Sequence, residues 1–164
     1  MTRGPRLDRY DFAILRTLQR NGRITKIALA EAVGLSPSPC WERLKKLEKS
    51  RLITGYHASV DLRKIAPITE VLVELTLSGH RAEDFRRFES AVQARPAVQA
   101  CWALGGGYDY LLQIVTRDID AYQRLVDELL EARIGLARYF TYIVTKPVKG
   151  PAPPPLDLLA DLHP

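Results

Sequence analysis

The sequence predicts an α+β chain in two parts, an N-terminal helix-turn-helix (winged-helix-like) domain and a C-terminal ferredoxin-like βαββαβ domain. Three observations carry that expectation. Apolar residues recur at helical spacing up to about residue 50 and then alternate as strands from Thr69. Two helix-start residues, Thr25 and Ser36, bracket Gly34, which suits a tight turn between two helices. The charge is also divided, since residues 1–65 hold 14 Lys+Arg against 6 Asp+Glu (+8) and residues 66–164 hold 10 against 13 (−3). A basic third on a mildly acidic remainder points to a polyanionic partner for the first part alone.

The first helix is expected over residues 8–20, with Leu7, Ile14, Leu15 and Leu18 at helical spacing, Asp8 as N-cap and Asn21-Gly22 as the stop. Thr25 starts a short second helix holding Ile27, Leu29, Ala30 and Val33, and Gly34 closes it in the left-handed conformation that glycine adopts most easily. Ser36 should accept a hydrogen bond from the first turn of the third helix. Pro37 and Pro39 fall where helix N–H groups lack partners, so they start this helix without breaking it. Cys40, Leu44 and Leu47 then form a buried stripe, and Ser38, Glu42, Lys45 and Lys49 face outward, flanked by Trp41 and Lys46. Short hydrogen-bonding groups, cations and an aromatic on one helix face suit a DNA major groove. The plainer alternative is a solvated lysine-rich face.

The apolar and β-branched residues 52–60 read as a wing or linker strand. Beyond them Val71, Val73, Leu75 and Leu77 alternate as a strand, residues 82–95 carry Phe85, Phe88 and Val92 as a helix, and residues 98–104 and 108–116 form two strands around Gly105-Gly106-Gly107. Asp118 and Asp120 begin a helix holding Tyr122, Leu125, Val126 and Leu129, and residues 138–148 form the last strand. In the last two strands both alternating sets are largely apolar, so a second subunit is expected on the helix-free face. The tail from Gly150 is proline-rich and expected to be extended, with residues 156–162 a candidate for packing on a partner chain.

The 46% hydrophobic content is ordinary for a globular protein, no apolar run approaches membrane-spanning length, and the first residues carry no apolar signal region. A cytoplasmic protein without a membrane partner is expected. Cys40 and Cys101 are far apart among apolar neighbours and read as buried thiols, with no metal site, cofactor or catalytic signature in view.

Together these residues resemble the Lrp/AsnC (feast/famine) family of transcription regulators. The likeness spans residues 7–149 and rests on Leu7-Asp8, Asp11, Ile14-Leu15, Leu29-Ala30, Gly34-Leu35-Ser36, Ser38-Pro39-Cys40, Arg43, Leu47-Glu48, Gly55-Tyr56 and Gly106-Gly107-Tyr108-Asp109-Tyr110. It implies a DNA-binding domain over residues 1–54, a strand linker over 55–68, an effector-binding and oligomerisation domain over 69–149, and a tail over 150–164. It also implies sequence-specific binding to double-stranded DNA, a homodimer assembling further, up to octamers, and no enzyme activity. The expected DNA contacts are Ser38, Trp41, Glu42 and Lys45 on bases and Ser36, Lys46, Lys49 and Arg51 on phosphates. Arg43 is divided between DNA and a nearby carboxylate. An amino acid or related effector is implied at Gly105, Gly106, Gly107, Tyr108 and Asp109, with Thr141 as a further contact; the alternative there is a glycine turn in which Asp109 satisfies backbone donors. Residues 138–146 resemble members that control catabolism of amino acids or compatible solutes.

Two departures from the family pattern stand out. Ser50-Arg51 replaces the usual glycine after the third helix, and the loop is richer in glycine. Two rival readings remain, a sirohaem decarboxylase-like enzyme using His57, His80 or His163, and a nucleoid-organising protein with little sequence preference.

Overall fold

A computed structural model describes residues 6–150 and 152–160. These form two compact units, one running up to Ser59 together with the tail from Gly150, the other spanning Val60–Lys149.

The first unit holds α1 (Arg9–Arg20), α2 (Lys26–Val33) and α3 (Pro37–Lys49), with the four-residue α6 (Asp157–Ala160) in the tail. Asp8 caps α1 by accepting from Tyr10 and Asp11 N–H, and Thr25 caps α2 through Ala28 N–H. Gly34 ends α2 at φ 70°, as expected of a residue without a Cβ. Ile14, Leu29, Ala30, Val33, Cys40, Leu44 and Leu47 make the core. Ser36 differs from expectation, because its side chain makes no capping bond. With proline at both the first and third helical positions, the start of α3 has fewer N–H groups to cap.

The expected strand at residues 52–60 does not form. A lone segment gains nothing from extended geometry without a neighbour to complete its ladder, and the sheet pairs no strand with it. Instead the Tyr56 hydroxyl donates to Glu48 Oε1 at 2.9 Å, fastening the segment to α3. Burial and the Glu48 carboxylate push that phenol up to about 12. The tail folds onto α1 of its own chain, with Gln19 Nε2 donating to the Pro154 carbonyl at 3.0 Å and Arg16 paired with Asp157. The partner-packing expectation for residues 156–162 lies partly outside the described residues, at 161 and 162.

The second unit runs β1 (Thr69–Leu77), α4 (Ala82–Gln93), β2 (Val98–Ala103), β3 (Tyr110–Thr116), α5 (Ile119–Glu131) and β4 (Leu136–Ile143). All pairings are antiparallel in the order β2-β3-β1-β4, the ferredoxin-like βαββαβ arrangement. Val71, Val73, Leu75, Leu77, Tyr110, Leu112 and Ile114 line the covered face against Phe88, Val92, Tyr122, Leu125, Val126 and Leu129. β4 runs from Leu136 to Ile143 in place of the expected residues 138–148, β2 ends at Ala103, one residue before the expected 104, and β3 begins at Tyr110, two residues after the expected 108.

The other face is less uniformly apolar than the last two strands suggest. Leu72, Leu111, Phe140 and Tyr142 share it with Glu70, Glu74 and Gln113, whose polar groups are tied together: Gln113 donates to Glu70 at 2.7 Å and the Tyr142 hydroxyl to Glu74 at 3.0 Å. Cys101 corrects another expectation, being exposed on the edge strand β2 while Cys40 is buried. An edge strand has only one neighbour to shelter it.

Candidate nucleic-acid interface and effector loop

Cys40, Leu44 and Leu47 bury one side of α3, and this rotation alone sets what the helix presents. Ser36, Ser38, Glu42, Lys45, Lys46, Lys49 and Arg51 are exposed, whereas Trp41 and Arg43 are half-buried. Lys45 Nζ sits 3.7 Å from Glu42 Oε1, an exposed pair that leaves both groups free to exchange partners.

Arg43 is occupied within the protein. Its Nη1 lies 2.7 Å from Asp8 and 2.9 Å from Asp11, so it joins α3 to the capped start of α1. The Asp11 and Asp8 carboxylates raise the guanidinium above its ordinary value. Partial burial works to raise the Asp8 carboxyl, but the Asp11 N–H, Arg43 and the Tyr10 N–H outweigh it and hold Asp8 below the usual carboxylate value. Arg51 follows α3 at φ 57°. It occupies the left-handed position that a glycine would take without strain, while its N–H donates to Glu48 O and Leu52 N–H to Leu47 O.

The contact that residue spacing did not reveal joins the two helices of the motif. Lys26 Nζ lies 3.4 Å from the centroid of the Trp41 ring, with Lys45 Nζ at 5.5 Å. Lys26 opens α2 and Trp41 lies in the first half of α3, so no periodicity within one helix could pair them.

In the second unit, the Leu104 N–H donates to the Asp109 carbonyl at 2.8 Å and closes the glycine loop. Asp109 is then engaged twice more, its N–H donating to Leu75 O at 2.9 Å and its carboxylate accepting from Leu77 N–H at 2.7 Å. His80 Nε2 stands 3.2 Å from the same carboxylate, a partner that spacing along the chain does not reveal. Gly105, Gly106 and Gly107 are exposed; none has positive φ, and a Cβ on any of them would meet nothing within 4 Å. Tyr108 packs edge-on against Phe140, ring centroids 5.9 Å apart. Thr141 is not brought to this loop within one chain: it pairs with Val73 across β1, and its hydroxyl is 2.5 Å from the Tyr122 hydroxyl.

Among the described residues, no group of three His, Cys, Asp or Glu could hold a metal ion, and no helix is long and apolar enough to cross a membrane. His57 is exposed, and His163 lies outside the described residues.

Both parts of the chain match known families. Residues 7–54 match the winged helix-turn-helix DNA-binding family and residues 70–153 the Lrp/AsnC ligand binding domain. The transcriptional regulatory protein DoeX of Halomonas elongata is 52% identical over 147 residues, covering 90% of this chain and 93% of its own. The leucine-responsive regulatory protein of Klebsiella pneumoniae is 40% identical, covering 89% of each chain. A Neisseria meningitidis transcriptional regulator solved in complex with L-Met superposes with a TM-score of 0.86 at 33% identity, over 93% of this chain and 99% of its own. The chain therefore belongs to the Lrp/AsnC family of transcriptional regulators, with a helix-turn-helix DNA-binding domain followed by the family's ligand-binding domain.

Proposed function

We propose that this regulator reads a discrete DNA site with α3 and changes its binding when an amino acid or closely related solute occupies the loop at residues 105–109. Ser38, Glu42 and Lys45 meet base edges, and Ser36, Lys46, Lys49 and Arg51 meet phosphates. The observation that carries the DNA reading is the outward face of α3, where these groups stand exposed while the opposite stripe is buried. The effector reading is supported by Gly105, Gly106 and Gly107, which are exposed and carry no side chain that would keep a carboxylate from the loop backbone. Asp109 satisfies the Leu77 N–H and stands beside His80, so its carboxylate sets the position of the loop, and an effector's ammonium group would have to join those partners. The relatives' names support an amino-acid-like effector, since one is leucine-responsive and another was solved with L-Met. The protein acts in the cytoplasm as a homodimer joined through the helix-free sheet face, and dimers assemble further. It has no catalytic role.

The test is binding of the purified full chain to DNA from upstream of its own gene, at two salt concentrations and against excess random duplex. A discrete site that survives competitor and weakens steeply with salt is expected, followed by a shift in that binding with one member of an amino-acid panel. Equal loss to any competitor overturns sequence-specific reading in favour of an architectural role.

A further inference from the structure

Trp41 lies on α3 beside the exposed polar groups, which would make its indole a natural base contact. Its surroundings argue otherwise. The ring is half-buried and packs on the first unit's core, and the Lys26 ammonium covers one of its faces at 3.4 Å. An aromatic held on the protein side and capped by a cation has little free edge or face for a base.

Lys26 is the more informative partner. It is exposed, and among the described residues no carboxylate oxygen lies within ion-pairing distance of it. A cation over a ring face keeps its charge and still presents N–H donors on the side away from the ring. The contact also replaces the freedom of a long exposed side chain with one position, fixed to the helix that meets DNA. Lys45, 5.5 Å from the same ring and paired with Glu42, belongs to the same cluster.

We propose that Trp41 is a positioning residue, holding the Lys26 ammonium of α2 beside α3 as an additional DNA-phosphate contact instead of reading a base. The inference rests on the reading of α3 as the DNA-facing helix. It assigns part of the non-specific affinity to α2.

The test uses the full-length protein and a random-sequence 30-bp duplex, on which a phosphate contact is felt whatever the operator. The slope of log affinity against log salt is measured for wild type, Lys26→Met, Trp41→Leu, Trp41→Phe and the Lys26→Met/Trp41→Leu double variant. Lys26→Met retains an apolar stem on the ring but lacks the ammonium; it should reduce the slope by about 0.9 and the affinity about tenfold in 50 mM salt. Trp41→Leu should lose affinity in the same direction, the double variant should lose little beyond Lys26→Met, and Trp41→Phe should restore most of the wild-type slope. An unchanged slope in Lys26→Met overturns the inference even if Trp41→Leu fails to fold. So does Trp41→Leu that keeps the slope but loses discrimination at one position of a selected site. If the wild type itself fails to bind the random duplex at low salt, the DNA reading of α3 fails instead, which separates the two.

Discussion

Arg43 shows how one side chain can belong to architecture while lying on the helix proposed to meet DNA. Its guanidinium meets Asp8 and Asp11, and the Asp11 side chain is only 13% exposed. Arg43→Ala would leave that carboxylate without its cation, at a cost of about 1–3 kcal/mol to the first unit. We expect a lower thermal midpoint for this unit, with specific and random-duplex binding of the still-folded fraction changed alike. The same cluster sets an acid limit. Asp8 titrates below its ordinary value when folded, so the stabilisation it supplies is complete above the unfolded value and is lost as pH falls below about 4. A circular-dichroism titration should show the helices of the first unit weakening in that range, and Asp8→Asn should flatten the dependence.

At the scale of the element, the end of α3 carries a measurable conflict. Arg51 holds a left-handed conformation at φ 57°, which costs a non-glycine residue about 1 kcal/mol. Arg51→Gly should therefore raise the midpoint of the first unit while weakening binding to random duplex, and a variant that gains stability with no loss of binding would remove Arg51 from the phosphate contacts. The departure itself was legible, because Ser50-Arg51 stands where the family resemblance leads one to expect glycine; local pattern does not reveal that Arg51 adopts the left-handed conformation a glycine would take. Helices were legible wherever the cap and the stripe agreed, as in Asp8 with Ile14 or Thr25 with Leu29 and Ala30. Residues 52–60 failed because β-branched composition marks a segment that suits a strand without naming a neighbour for it. The loop at 105–109 was legible as chemistry, but the ties from Asp109 to Leu77 and His80 depend on where β1 ends, and Lys26 reached Trp41 only after two helices had crossed. Pairings between elements are the part that local pattern omits.

For the whole molecule, the helix-free sheet face is the proposed dimer contact. It mixes Leu72, Leu111, Phe140 and Tyr142 with carboxylates already satisfied by Gln113 and Tyr142 itself, so it can be covered without stranding those acids. Leu111→Arg would place a cation in that face while leaving the helix-covered core alone. It should shift the protein towards monomer in sedimentation velocity, and DNA affinity should fall with the loss of paired helix-turn-helix units; an unchanged sedimentation coefficient would place the dimer contact elsewhere.

The two thiols make the chain its own reporter. Cys40 is 2% exposed in the first unit's core, and Cys101 is open on the edge strand of the second. Although Cys101 is accessible, partial desolvation against the rest of the unit, and secondarily the Glu89 charge, raise its thiol, so modification by a disulfide reagent should be slow at neutral pH and quicken as the solution becomes alkaline. The folded chain should release one equivalent of chromophore and the unfolded chain two. The second equivalent then counts the molecules whose helix-turn-helix unit has opened, and a dye placed on the first sits on the strand that leads into the glycine loop, where it would report the solute binding proposed there.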